Sequence, residues 1–524
     1  MKRDFSLLHQ QQFDLLVCGG GIYGAWTAYE AALRGLKVAI VEQGDWASAT
    51  SSSSSKLIHG GLRYLESFDF KLVRKALKER QMLLQTAPHR VWPLRFGVPV
   101  YADSRIGRLQ LKLGLMLYDF LSAYPALQML HHYFNRQAFS RRFPALDGKG
   151  LKGGFTYGDA QTDDARLVLE LISGAMAAGA VCVNYARLGK LTEVKGQVNG
   201  ALVHDQLGTE TAEVKARQIV HASGQWLAAD KESSPWCRVT KGVHLILPRV
   251  LEEEALLLTA KADGRVFFLL PWYGMTLLGT TDTDYNGDIQ QVAVEEQDVA
   301  YLLDAANHYL KNAWTKADVI GSYAGLRVMK RSDIDSPSAV SRDWELKTAS
   351  NGVHYSIGGK ITSAREDAVC IVDKVCAQLG LDLPCASKGR LFPWAPEENY
   401  AEWSAVVSAR AAALHIDTES SKWLIRRHGK RVSEIFRDIE NNPGLAGRIM
   451  PALPFIYADL LCCARAEMVV HLEDLLRRRM PLLVLARINE PELRRLAFFV
   501  SLELDWEEST VDREVAYYFQ HATS

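Results

Sequence analysis

The chain of 524 residues reads as an α/β protein of two lobes followed by a helical domain. Three observations predict this. A short apolar run at 13–17 meets Gly19-Gly20-Gly21 at once, and an alanine-rich stretch and a second apolar run at 37–41 follow. Between residues 239 and 284 the apolar runs are short and punctuated as strands are. From about Tyr400 the chain is rich in Ala, Leu, Arg and Glu, with few strand signals.

Taken in order, 13–17 is a buried strand, 25–34 a helix stopped by Gly35, and 37–41 a strand ending in Glu42. Strand, glycine turn, helix and strand make one Rossmann-type βαβ unit. Helical spacing recurs at 66–87, ahead of Pro88, and at 105–134 with a break near Pro125. Turns fall at 147–150 and at Gly153-Gly154, a helix at 167–178 and a short strand at 218–222. The runs 266–270 and 275–278 flank Tyr273-Gly274 and predict a hairpin; 295–310 returns to helix. Pro384, Gly389, Pro393 and Pro396 mark a linker over 385–399. The expected division is therefore a main region of 1–384, this linker, and an independent helical domain of 400–524.

Lys plus Arg and Asp plus Glu both total 61, so the formal charge is zero. Without a basic field there is no electrostatic reason to expect nucleic acid as a partner. The eight cysteines form no C-x-x-C pair and no zinc spacing, so no metal is expected and the thiols suit a reducing, cytoplasmic compartment. Residues 1–12 lack the apolar segment of a secretory signal, and no apolar stretch is long enough to span a bilayer.

Gly19, Gly21 and Gly24 have G-x-G-x-x-G spacing. The first permits the turn, the second lets a pyrophosphate approach the backbone, and the third packs helix on strand. The helix start then offers free N–H groups and the positive end of its dipole to phosphate. Glu42 lies 18 positions beyond Gly24 (42 minus 24), where an acid binds ribose hydroxyls and disfavours a 2′-phosphate. At this point FAD and NAD are both open.

Residues 49–66 read ATSSSSSKLIHGGLRYLE. This segment resembles one in the FAD-dependent glycerol-3-phosphate dehydrogenases, a family of the D-amino-acid-oxidase-like flavoproteins. Further stretches continue the resemblance in order: YGDAQTDDARL at 157–167, KGVHLILP at 241–248, GTTDTDYNGD at 279–288, YAGLR at 323–327, Ser341-Arg342-Asp343, IGGKITSAR at 357–365 and AEMVVHLEDLLRRR at 466–479. It covers roughly residues 13–480. Departures stand at 221–226, HASGQW where the family has Asn-Ala-Thr-Gly-Pro-Trp, and at Val243, Val328, Ser363 and Ala364. These put the substrate in question more than the reaction class.

The resemblance implies FAD as cofactor, assembled on segments of about 10–85, 150–235 and 335–384, with a substrate lobe of about 86–149 and 236–334. Beside the three glycines and Glu42, it implies cofactor contacts from Thr50, Ser51, Ser55, Lys56, Leu57, His59, Gly224, Gly359, Lys360, Ile361 and Thr362. Oxidising a secondary alcohol on flavin needs a hydride acceptor, a place for the hydroxyl proton and a cation near N1 and O2 of the reduced ring. His244, in the apolar strand KGVHLIL, is the candidate base; the alternative is a histidine satisfied within the sheet. Lys360, expected to open a helix, is the candidate cation. Arg63, Arg327 and Arg342 are candidates for gripping phosphate and the reacting oxygen, with Tyr64 as a further hydrogen-bonding group.

The implied reaction is oxidation of sn-glycerol 3-phosphate to dihydroxyacetone phosphate, with electrons passed to quinone, or to oxygen as in some relatives. Basic Arg105, Arg108 and Lys112 ahead of an apolar run suit either a peripheral inner-membrane contact or a helix packed in the second lobe. Monomer and homodimer both stay open. The rival readings are an oxidase for another small phosphorylated polyol or an amine or amino acid, a non-catalytic FAD-bound scaffold, and a nicotinamide enzyme.

Overall fold

The computed structural model describes residues 1–122, 126–331 and 343–521. Two sheets organise the described residues. In the first, Phe13–Cys18 lies between Val38–Val41 and Thr211–His221, all parallel, with Val17 opposite Ile40 on one side and Val220 on the other. Val181–Val183 and His354–Ile357 extend it in parallel, and Glu345–Thr348 adds an antiparallel edge. Val38–Val41 and residues 15–18 are buried throughout, which is why they read as unbroken apolar runs, while Thr211–His221 alternates along its first half. Helices Ile22–Leu33, Asp164–Ala177 and Ala364–Leu379 cover one face.

The second sheet, of ten strands, centres on Val91–Tyr101, Leu151–Thr162, Val266–Trp272 and Cys237–Leu247. The expected hairpin is present: Val266–Trp272 and Met275–Gly279 pair across Tyr273 and Gly274, whose φ values of 48° and 78° are those of a type I′ turn. The two-residue strand Leu57–Ile58 pairs with Leu151–Thr162, so the serine-rich loop begins beside the first sheet and ends in the second.

The stretch expected to be helical over 105–134 is divided. Among its described residues only Arg108–Leu121 is α-helix; Leu127–Met129 is a single tight turn and His132–Asn135 a strand on Leu151–Thr162. Backbone pairing on an existing sheet edge overrides helical spacing there. Pro125 lies outside the described residues.

The helices after Tyr400 pack directly against the second lobe. Trp423 stacks on Tyr273 of the hairpin turn at 3.7 Å between ring centres, and Phe455 stacks there at 4.9 Å. One apolar core runs from Trp92 and Leu277 through Trp423 and Phe455 to Leu475 and Leu493. Buried charges cross the same boundary. Arg166 of helix Asp164–Ala177 pairs with Glu467, which also receives Arg431 at 3.0 Å. Arg90 bonds Glu170 and the Arg426 carbonyl. Composition along a chain shows that a segment is helical; it does not show what its faces cover.

Breaking a buried ion pair from one side leaves an uncompensated charge, at a cost of about 3–5 kcal/mol. Glu467→Gln strands Arg166 in this way, and urea unfolding is expected to show a loss of that order. A loss below about 1 kcal/mol would mean that the pair is not holding the helices to the lobe.

Candidate functional site

A cavity of about 520 Å³ opens between the two sheets, within the size range of small-molecule sites. One end is built by the first βαβ unit. Gly19 turns the chain with φ 112°, and Gly24 presses on it so closely that a Cβ there would collide with the Gly19 carbonyl oxygen. Gly21 caps helix Ile22–Leu33 without a side chain, leaving the helix start open to the cavity. The Ser51 hydroxyl accepts the Ile22 N–H at 2.9 Å. Glu42 ends its strand at the cavity wall, its carboxylate accepting the Gly20 and Gly44 N–H groups at 2.6 and 2.9 Å. Burial pushes this carboxyl above its ordinary range, while the two peptide donors pull it back. An open helix start, a crowded glycine turn and an acid at the next strand end fit a dinucleotide: pyrophosphate on the N–H groups, ribose on Glu42.

The loop after Glu42 forms the cavity floor. Thr50 donates to the Leu326 carbonyl at 2.5 Å and lines the cavity, as do Ser55, Leu57 and His59. The His59 N–H donates to Thr362 at 3.2 Å, and Thr362 itself is buried behind the wall. Gly224, Gly359 and Ile361 contribute to the opposite wall. Gly359 has φ 96° and packs so tightly on Tyr23 that a Cβ would overlap its hydroxyl. Lys56 is turned away: it is buried, donates to Asp164 at 2.7 Å and to the Ser52 carbonyl at 3.0 Å, and sits over the Trp272 and Tyr323 rings.

The other end is cationic. Arg63, Tyr64, Arg327 and Lys360 all line it. Lys360 Nζ stands 3.7 Å above the Tyr64 ring, and Arg63 lies beside the same ring and bonds its hydroxyl at 3.4 Å. Arg327 is oriented by Thr280 Oγ1 at 2.8 Å, the Thr281 carbonyl at 3.2 Å and Asp282 at 3.3 Å. Lys360 does not open a helix as expected: the chain turns over 359–363 and the helix starts at Ala364. Its amide instead donates to Tyr23 at 2.9 Å. Arg342 lies outside the described residues.

His244 stands one layer behind the wall. Nε2 lies 2.8 Å from the Ser55 hydroxyl, and the ring stacks on Tyr323 at 4.9 Å. Burial first, then the charges of Arg327 and Lys56, hold the imidazole well below 6.5, so it is neutral. Nδ1 has no partner among the described residues.

Sequence reasoning missed Arg265, which lines the cationic end and donates to the Asp282 carbonyl at 2.5 Å. It follows Gly264 in a strand edge with no motif to mark it. Of the residues that depart from the family pattern, His221, Ser223, Gln225 and Val328 line the cavity. Val243 and Ala364 belong to apolar cores, and Ser363 bonds Asp367.

Comparison with known proteins agrees with this geometry. Residues 14–365 match the family described as FAD dependent oxidoreductase, and residues 397–511 match the C-terminal domain of alpha-glycerophosphate oxidase. A glycerol-3-phosphate dehydrogenase of Synechocystis sp. is 34% identical over 99% of this chain and 98% of its own. The aerobic glycerol-3-phosphate dehydrogenase of Staphylococcus aureus is 32% identical over 90% and 87%. The crystal structure of the glycerol-3-phosphate dehydrogenase of Bacillus halodurans, complexed with FAD, superposes with a TM-score of 0.79 at 28% identity, covering 98% of this chain and 95% of that one. With its glycine turn, its acid at the second strand end and its cation-lined pocket, the chain belongs to the family of FAD-dependent glycerol-3-phosphate dehydrogenases.

Proposed function

We propose that this protein oxidises sn-glycerol 3-phosphate to dihydroxyacetone phosphate by hydride transfer to flavin N5, and that the electrons pass on to quinone. The observation that carries the reading is the convergence of Arg63, Arg265, Arg327 and Lys360 on one end of a cavity whose other end fits a dinucleotide. Cofactor contacts would come from Gly19, Gly21, Glu42, Thr50, Ser51, Ser55, Leu57, His59, Gly224, Gly359 and Ile361, all on the cavity wall or at the helix start. When bound, FAD supplies the two-electron acceptor for the carbinol hydrogen.

The protein's own groups divide the remaining tasks. Guanidinium forks suit phosphate oxygens, and Arg327, already oriented by three oxygens, is the best placed to hold phosphate or the developing alkoxide. The Ser55 hydroxyl faces the cavity and His244 stands behind it. A substrate hydroxyl that donates to Ser55 can pass its proton through that hydroxyl to Nε2. The phosphate dianion offsets the positive field of Arg327 and Lys56, which raises the basicity of the imidazole once substrate is bound. Lys360, which lines the cavity, would offer positive charge to the reduced flavin.

We also infer a lipid-surface contact, in keeping with a membrane acceptor. Along helix Arg108–Leu121 the solvent face is apolar, with Leu109, Leu113, Met116 and Phe120 exposed by 72, 58, 49 and 82%. Leu115 and Tyr118 hold the opposite face in the core. Arg105, Arg108 and Lys112 flank the apolar stripe, as anionic headgroups require. Among the described residues no helix is long and apolar enough to cross a membrane, so the contact would be peripheral.

Anaerobic addition of sn-glycerol 3-phosphate is expected to bleach the bound flavin's visible absorbance, while glycerol leaves it oxidised. A flavin that stays oxidised with both would move the protein to another substrate. Arg327→Met should lower kcat/KM by about 10²–10³-fold. Ser55→Ala and His244→Gln should each lower kcat by about 10²–10⁴-fold, and the double variant no further than the worse single, because the two act as one relay. Losses that multiply would dissolve the relay. Replacing Leu113 and Phe120 by Glu should release the protein from anionic vesicles without changing flavin reduction by substrate; unchanged vesicle binding would reject that face.

A further inference from the structure

The segment 466–479 carries family-like sequence that the cavity does not use directly, and it ends in three consecutive arginines. In the structure these lie in the π-helical turn Asp474–Arg479. Arg478 and Arg479 are buried, and both reach Asp45, which is fully buried too. Arg478 Nε donates to Asp45 Oδ2 at 2.5 Å, and Arg479 Nη2 to Oδ1 at 2.8 Å. Arg478 is shared with Asp474 at 2.6 Å, and Asp474 accepts the Tyr185 hydroxyl at 2.6 Å.

Asp45 stands three positions beyond Glu42, on the far side of the loop whose near side lines the cavity through Glu42, Gln43, Ala47 and Ser48. A second link is made one residue on. The indole N–H of Trp46 donates to the Met468 sulfur at 3.3 Å, and the same ring is packed so closely on Gly20 that a Cβ there would collide with it. The amide of Gly20 is the one that Glu42 accepts. Thus both the acid at the strand end and the glycine turn are backed by residues 468–479, more than four hundred positions away in sequence. There is an electrostatic link as well: the charge of Asp45 pushes the Glu42 carboxyl up, and the two guanidiniums neutralise that charge.

We propose that the C-terminal helical segment is part of the cofactor seat: Arg478 and Arg479 act through Asp45 as positioning residues that hold the loop 42–46 in its FAD-binding shape, so that FAD occupancy and the packing of 466–482 are one coupled equilibrium. Backbone bonds tie Glu42 and Gly44 to residues 183–186 and Ala47 to Gly20, and between these ties the side chain of Asp45 is anchored by the two guanidiniums. Coupling between binding and packing is reciprocal: whatever the helical segment contributes to FAD affinity, FAD returns to the segment as stability. The proposal rests on the reading that Glu42 faces the FAD ribose.

Hydrogen exchange on the full-length protein, with FAD and after its removal, tests the coupling without a substitution. Stripping FAD is expected to speed exchange over 13–65 and also over 466–482. Acceleration confined to 13–65 would overturn the coupling while leaving the cofactor seat intact. No change at 13–65 would remove the seat on Glu42 and the proposal with it. FAD release from Asp45→Asn, followed by recovery of flavin fluorescence on dilution, is expected to be faster than from the unaltered protein by about 5–150-fold, the usual range of coupling between sites. Arg465→Met, which breaks exposed pairs with Asp438 and Glu503 just ahead of that segment, should release FAD at the unaltered rate. A folded Asp45→Asn protein that keeps FAD as long as the unaltered one would overturn the proposal, and if that variant does not fold the exchange experiment decides.

Discussion

The carboxylate of Asp164, buried at the start of helix Asp164–Ala177, accepts the Ser54 amide at 3.1 Å and the Ser54 hydroxyl at 2.7 Å on one oxygen, and Lys56 at 2.7 Å on the other. Between them lies Ser55, the residue that faces both the cavity and His244. This loop runs from the edge of one sheet to a two-residue strand in the other and has little regular backbone pairing along the way. A run of five serines would ordinarily be a flexible linker. Here it is ordered because buried groups on other elements satisfy its donors and acceptors, and an unmet partner in that interior would cost about 1–3 kcal/mol each. Lys56 has φ 57°, a strained conformation for a side chain of its size, and its ion pair to Asp164 is what compensates. Tyr323 closes the arrangement: its hydroxyl donates to the Ser54 carbonyl at 2.8 Å while its ring supports His244.

The same interior explains the chemistry. A chain with no net charge has been arranged so that Arg63, Arg265, Arg327 and Lys360 line one cavity, with Asp282 paired to Arg327. Such a cavity attracts a small dianion and repels a cation, which sets phosphorylated substrates apart from amines before any shape is considered. Burial first, and then the charges of Arg327 and Lys56, keep His244 neutral. Nε2 can accept from Ser55 only in the tautomer that carries the ring hydrogen on Nδ1, which has no partner among the described residues.

Much of this was legible in the chain itself, and the limits have physical causes. The βαβ unit, its glycines and Glu42 could be read because all lie within a few tens of residues and each rule is local. The hairpin at Tyr273-Gly274 was readable for the same reason. Lys56 sat in the right motif, yet its side chain points the other way, because side-chain direction depends on φ and on a partner 108 residues distant. Arg265 had no motif at all; it matters only because Asp282 and Arg327 come alongside it in space. The helical segment after Tyr400 was recognisable as helix, but its union with the lobes depends on stacking and buried charge that no local pattern encodes.

The departures from the family pattern can now be weighed by position. Val243 and Ala364 fill apolar cores and Ser363 is occupied with Asp367, so these three leave the cavity's chemistry alone. His221 stacks on Tyr355 at 5.1 Å, and Gln225 gives its amide to the Ile289 carbonyl at 2.6 Å, so each is tied to its own wall rather than extended into the space. Val328, next to Arg327 in the strand Gly321–Lys330, is the one apolar change that faces the cavity beside a cation. None of these, Ser223 included, adds or removes a formal charge at neutral pH, since burial holds His221 below its ordinary range. Recognition of a phosphate by arginine forks depends on charge and fork geometry. Selection among phosphorylated polyols depends on shape, where a single methylene is worth about 1–3 kcal/mol. The substitutions therefore leave the formal charge of the cavity in place and change only its outline.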